Sequence, residues 1–212
     1  MIVEHKEISR ATLGRLPIYL DYLKTLPGAV THISATAIAK ALHLGEVQVR
    51  KDLGAVSGAG RPKVGYSVAE LTGCLQRLLS EGSGSAVIVG AGRLGRALLD
   101  YSGFADYGLS IVAAFDRALH EPMASTAGKP ILPMERLEEY CATHPVKIGV
   151  ITVPAADAQS VADRLYRNGI CAFWCFAPVR MSLPEDAVAQ YENMALSLAH
   201  LNKKIQCAET PK

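Results

Sequence analysis

The stretch Val87–Tyr101, VIVGAGRLGRALLDY, decides how the rest of the chain is read. A short apolar run ends in Gly90, Gly92 and Gly95 at G-x-G-x-x-G spacing, and an amphipathic segment follows. This is the grammar of a strand, a tight turn and a helix opening on that turn. In such a turn the first glycine permits the reversal, the second lets a pyrophosphate approach the backbone, and the third packs helix on strand. The helix N-terminus adds unsatisfied N–H groups and the positive end of a dipole. Gly90, Ala91, Gly92, Arg93, Leu94 and Gly95 are therefore the candidate dinucleotide loop. Asp116 closes the next apolar run, IVAAFD, twenty-one residues after Gly95. A carboxylate there accepts the ribose hydroxyls and favours NAD over NADP. Arg117 beside it weakens that preference, since a guanidinium can take a 2′-phosphate.

Downstream the same alternation continues. Ala86–Val89, Ser110–Phe115, Val146–Val153 and Gly169–Phe176 read as strands; Leu94–Asp100, Met134–Thr143 and Ala155–Asn168 read as helices, the last closed by Gly169. Apolar strands alternating with helices predict an α/β fold, a Rossmann-like doubly wound parallel sheet over 85–185. Residues 186–212 form the C-terminal part, with a helix expected over Glu185–Ile205. Its stripe of Met194, Leu198, Leu201 and Ile205 needs a partner, either this sheet or a second subunit. After ITVP and CFAPV, where dehydrogenases place catalytic groups, this chain has Thr152, Pro154, Ala177 and Pro178. These line a pocket but transfer no protons. No Tyr-x-x-x-Lys pair, Cys–His neighbour or His–carboxylate cluster stands out, so no catalytic residue is assigned. Thr152 and Pro154 join the binding residues; the dinucleotide reads as bound, not consumed.

Upstream lies a different unit, residues 1–80, with a linker near 81–84 in EGSGS. One amphipathic helix is expected over SRATLGRLPIYLDYLKTL, with Leu13, Leu16, Leu20, Leu23 and Leu26 on one face. Ser34 or Thr36 caps a second helix with Ala37, Ile38 and Ala41 inward. A turn at Leu44-Gly45 leads to a third helix, EVQVRKDLGAV, and the glycine-rich, basic SGAGRPKVGYSV suits a β-hairpin. Val68–Ser80 is a further helix. Helix, turn, helix and basic hairpin is the pattern of a winged helix-turn-helix, whose third helix enters the major groove. Gln48, Arg50, Lys51 and Asp52 are the polar residues along that helix, with Arg and Lys suited to guanine or phosphate and Gln to adenine. Arg61 and Lys63 flank Pro62 at the wing tip, placed for the DNA backbone or minor groove.

Charge agrees with this division. Residues 1–66 hold nine Lys/Arg against five Asp/Glu, and the remainder thirteen against fifteen. A basic front half points to a polyanion. No apolar run approaches the roughly 20 residues of a membrane span, and the N-terminus lacks a signal core. The five cysteines form no CxxC pair and the six histidines no HxxxH, so reduced cytoplasmic thiols and no metal site are expected.

The combination resembles the redox-sensing transcriptional repressor Rex family. RLPIYLDYL, QVRKDL, RPKVGYSV, VGAGRLGRALLDY, GFADYGLSIVAAFD, ITVPAADAQSVADRL and CFAPVRMSLPED occur in that family's order and spacing, from about Arg10 to Ser197. The resemblance implies a homodimer with winged-helix domains on operator DNA, Rossmann domains binding NADH or NAD+, a C-terminal helix exchanged between subunits, and release from DNA by NADH. It also implies a sensing role for Tyr101. The chain departs from the family's pattern at Gly54, Ala55, Val56 and Ser57, where an aromatic pair is usual. Asp21 and Ala195 stand where the sensing Arg and Asp are usual, and Cys175 replaces an Asn. The alternatives are a DNA-binding regulator of this fold with a lost or altered nucleotide response, or a nicotinamide-dependent oxidoreductase.

Overall fold

The computed structural model describes residues 8–58, 60–80 and 84–209, without the side chains of residues 10 and 206–209. Of the linker expected near 81–84, only Gly84 is among them, and it already belongs to a strand. The chain divides into two compact units, Met1–Ser83 with Ala105–Gly108, and Gly84–Phe104 with Leu109–Lys212.

The first unit holds helices α1 (Arg10–Leu13), α2 (Leu16–Thr25), α3 (Ala35–Leu42), α4 (Glu46–Ser57) and α5 (Val68–Ser80), with strands β1 (His32–Ile33) and β2 (Tyr66–Ser67). The single helix expected over residues 9–26 is broken after Leu13. Pro17 is the cause. In a continuous helix its ring would strike the carbonyl of Leu13, whereas in the first turn of a new helix its missing N–H costs nothing. Leu16, Leu20 and Leu23 are buried as expected, but Leu13, left on the detached turn, is 42% exposed.

Ser34 does cap α3, its Oγ accepting from the Ala37 N–H at 3.1 Å. The inward face is Ala35, Ile38 and Ala39, however; Ala37 and Ala41 point outward. Once Ala35 is seated, helical spacing puts Ile38 and Ala39, three and four residues further on, on the same side. The expected hairpin shrinks to a single bridge between Arg61 and Gly65, and β2 pairs with β1 instead. Gly65 makes this possible: at φ +90° it passes so close to Ile33 that a Cβ would lie 2.4 Å from the Ile33 oxygen. Tyr19, Leu20, Ile38, Val49, Leu53, Leu71 and Leu75 fill the core of this unit.

The second unit contains β3 (Gly84–Val89), α6 (Arg93–Asp100), β4 (Leu109–Asp116), β5 (Met123–Ala124), β6 (Pro130–Pro133), α7 (Leu137–Thr143), β7 (Val146–Ile151), α8 (Ala155–Arg167), β8 (Ala172–Cys175), β9 (Val188–Tyr191) and α9 (Met194–Glu209). Sheet order is β5-β6-β4-β3-β7-β8-β9, parallel throughout except for β5 on β6. Without that short antiparallel edge, it is the doubly wound order of a dinucleotide-binding sheet. Val87 and Val89 face one layer with Phe115, Ile151 and Leu165; Ala86 and Ile88 face the other with Leu99 and Val150.

One expectation here is corrected. Residues 185–205 are not one helix, because Val188–Tyr191 form β9 and helix begins only at Met194. The open edge of β8 presents unpaired backbone groups, and registering Ala172 to Cys175 against Val188 to Tyr191 satisfies them. Helical periodicity in the sequence does not see that demand. On α9, Met194, Leu196, Leu198, Leu201 and Ile205 are each half or more exposed.

Candidate functional site

Strand β3 ends at Val89 and the chain reverses through Gly90, at φ +103°, before α6 begins at Arg93. Each glycine has a distinct duty. A Cβ on Gly95 would sit 1.9 Å from the Gly90 oxygen, so helix and turn touch backbone to backbone there. A Cβ on Gly92 would meet nothing within 4 Å: that position is open to a ligand. The loop is held from three sides. The Asp116 carboxylate accepts from the Ala91 N–H at 2.7 Å and the Ala118 N–H at 2.8 Å. Arg96 Nε donates to the Ala91 carbonyl at 2.8 Å. Thr152 Oγ1 stands 2.7 Å from the Gly90 oxygen and 3.1 Å from that of Val89. The first-turn N–H groups of α6 have no partner within the helix.

A cavity of about 510 Å³ lies beside the loop. Of the residues expected at the dinucleotide, Gly90, Gly92, Asp116, Thr152 and Pro154 line it. Ala91, Arg93, Leu94 and Gly95 belong to the turn and helix start without lining it. Tyr101 is elsewhere, just past the far end of α6, 59% exposed and edge-on to Phe104 at 5.0 Å. The eight residues of α6 separate it from the glycine loop. The sequence reading missed Asp157, Ser160, Val161 and Arg164, which line the cavity from α8. Their spacing of three, four and seven residues, one helix face, was a usable signal. Arg117 does not stand free: its Nη1 meets Asp157 Oδ1 at 2.9 Å. Cys175 is buried, and that burial pushes its thiol up, away from the reactive thiolate.

In the first unit, Gln48, Arg50 and Lys51 are exposed on α4, but Asp52 is not one of the outward polar residues. It is buried, with Arg15 Nε at 2.7 Å and Nη2 at 2.9 Å on its two oxygens, and it accepts from Thr12 at 2.9 Å and Tyr19 at 2.7 Å. Burial alone would raise the Asp52 pKa, yet the hydrogen bonds from Arg15, Tyr19 and Thr12 outweigh it and hold the carboxyl below its ordinary value. For Tyr19, burial and then the Asp52 carboxylate push the phenol up to about 12. Arg50 pairs with Glu46 one turn earlier. At the wing, Arg61 and Lys63 are exposed; the turn is closed by Arg61 N–H to the Gly65 oxygen at 2.9 Å and Gly65 N–H to the Arg61 oxygen at 2.8 Å. Arg50, Arg61 and Lys63 line one groove with Ser34 and Thr36 at the start of α3. Among the described residues no group of three or more His, Cys, Asp or Glu is placed to hold a metal, and no helix is long and apolar enough to cross a membrane.

A helix-turn-helix unit with a short basic wing, coupled in one chain to a doubly wound sheet with a prepared phosphate loop, defines a ligand-responsive transcription regulator. Residues 82–179 match the family model "CoA binding domain", and residues 7–54 match "Putative DNA-binding protein N-terminus". The redox-sensing transcriptional repressor Rex of Porphyromonas gingivalis is 40% identical over 195 residues, 91% of this chain and 89% of that protein. The Rex of Brevibacillus brevis is 36% identical over 202 residues, 94% and 98% of the two chains. Among solved structures, RSP, a Rex-family repressor, in complex with β-NAD+ and operator DNA matches with a TM-score of 0.82 and 30% identity, covering 99% of this chain and 95% of that one. RSP in complex with β-NADH matches with a TM-score of 0.83 at 29% identity, covering 96% and 97%. The chain belongs to the Rex family of redox-sensing transcriptional repressors, as the resemblance in its sequence implied.

Proposed function

We propose that this chain is a homodimeric repressor that reads the NADH/NAD+ ratio and leaves its operator when NADH binds. The observation that carries the proposal is the Gly90–Gly95 loop, clamped by Asp116, Arg96 and Thr152 while its Gly92 face stays open. A dinucleotide pyrophosphate sits on the α6 N-terminus against Gly90, Ala91, Gly92, Arg93 and Leu94, with Gly95 seating the helix. Asp116 takes the ribose hydroxyls, and Thr152 and Pro154 border the rest. Thr152 acts chiefly through the loop, its hydroxyl being engaged by the Gly90 and Val89 carbonyls. Tyr101, outside the cavity, takes part only if a second subunit completes the site. The exposed apolar stripe of α9 is the surface through which two copies join.

On the DNA side, Gln48, Arg50 and Lys51 of α4 meet bases and phosphates, and Arg61 and Lys63 of the wing meet the backbone. NADH acts by binding one arrangement of the protein better than the other. The chain acts as a regulator and not as an enzyme, a reading supported by relatives named as transcriptional repressors, and it works in the cytoplasm, where NADH and DNA meet. Mobility shifts on palindromic duplex pools with NAD+, NADH or neither test this. Retention that NADH lowers at least tenfold supports the reading. Retention indifferent to both nucleotides would establish a DNA-binding regulator that has lost the response, and steady NADH oxidation with a small carbonyl compound would establish an oxidoreductase.

A further inference from the structure

Arg117 stands where a phosphate on the adenosine ribose would be met. It directly follows Asp116, the last residue of β4, and both line the cavity beside the glycine loop. In doubly wound dinucleotide folds a carboxylate at such a strand end takes the ribose 2′-hydroxyl, and an arginine nearby takes a 2′-phosphate. This chain holds both residues side by side, so the pair by itself does not choose between the two ligands.

Asp157 makes the choice. It lines the same cavity from the first turn of α8, and its Oδ1 lies 2.9 Å from Arg117 Nη1. The helix dipole favours an ionised carboxylate at that position. The ion pair is weak in itself, because the Arg117 side chain is 74% exposed, and a phosphate could displace it. The negative charge is not displaced with it. Asp157 stays on its helix, so a phosphate drawn to Arg117 meets two carboxylates, Asp116 and Asp157, against one guanidinium. A neutral hydroxyl meets no such repulsion. The other arginines lining the cavity do not redress this balance. Arg164 is gripped by both oxygens of Glu138, at 2.6 and 2.9 Å. Arg167 is the last residue of α8, about 15 Å along the helix from Asp157. Resting on the reading of this cavity as the dinucleotide site, we propose that Asp157 is a specificity-determining residue. It reserves the cavity for NADH and NAD+ against their 2′-phosphorylated forms by cancelling the charge of Arg117 beside the ribose.

Isothermal titration calorimetry of the full-length chain with NADH and with NADPH tests this. The wild type should bind NADH at least about tenfold more tightly than NADPH. Asp157→Asn keeps the shape of the side chain and removes its charge. It should raise NADPH affinity about tenfold while NADH affinity stays within about twofold. Arg117→Ala added to Asp157→Asn should abolish that gain, and thermal melting checks that both variants fold. A wild type that binds the two dinucleotides equally would overturn the proposal. So would an Asp157→Asn variant that folds with its preference unchanged, or a gain in NADPH affinity that survives the loss of Arg117. A wild type that binds neither dinucleotide would overturn the reading of the cavity itself, a distinct result.

Discussion

Arg15 and Asp52, thirty-seven residues apart in sequence, close a two-pronged ion pair that ties the start of α2 to the middle of α4. The carboxylate is buried and the guanidinium side chain 21% exposed. Removing one partner leaves the other charge uncompensated, so Asp52→Ala should destabilise the first unit by about 3 kcal/mol, the lower end for breaking a buried pair. Urea unfolding followed by circular dichroism measures it. Arg15→Met/Asp52→Asn should cost much less, since no orphan charge remains.

The same pair carries a pH dependence of definite sign. Asp52 has its pKa lowered in the folded state, so its contribution is fully present above the unfolded carboxyl value, about 4. It is lost as pH falls below that value toward the folded one. Melting temperatures between pH 7 and 3 should fall with acid more steeply in the wild type than in Arg15→Met/Asp52→Asn.

Two glycines of one loop should behave oppositely on substitution. Gly92→Ala meets no atom and should fold normally, at a cost below about 1 kcal/mol, yet lose NADH because the new methyl occupies the ligand's approach. Gly95→Ala drives a methyl into the Gly90 carbonyl and should cost about 1–3 kcal/mol or more in stability along with binding. Energy transfer from Trp174, the chain's single tryptophan, to bound NADH reports binding; thermal melting reports stability.

Asp116→Ala removes the acceptor that holds the Ala91 and Ala118 N–H groups as well as the ribose partner. NADH affinity should fall about tenfold or more, as expected for losing a charge-assisted contact of about 1.5–3 kcal/mol. Asp116→Asn, which retains one acceptor oxygen, should lose less. The same fluorescence titration compares them.

At the wing, Arg61→Ala and Lys63→Ala should weaken DNA binding evenly across sequences and make the salt dependence shallower by about one unit of slope per cation removed. Mobility shifts at several salt concentrations read the slope. Leu198→Asp/Leu201→Asp, placing charges on the exposed stripe of α9, should convert a dimer to a monomer in light scattering.

What the chain's own letters determined was local or periodic. The Gly90–Gly95 turn, the Ser34 cap and the Val68–Ser80 helix rest on interactions within a few residues, and the pattern of apolar runs was enough for a doubly wound sheet. Pro17 could have warned of the break after Leu13, but five leucines at helical spacing argued louder. Tertiary structure alone decided the rest. Val188–Tyr191 became strand because β8 had an open edge, and Asp52 turned inward because Arg15, Thr12 and Tyr19 converge on it from α1, α2 and the two-residue turn between them. Tyr101 was separated from the cavity by the length of α6. Hydrogen-bonding groups must be satisfied by whatever the fold brings near, and that neighbour is rarely close in sequence.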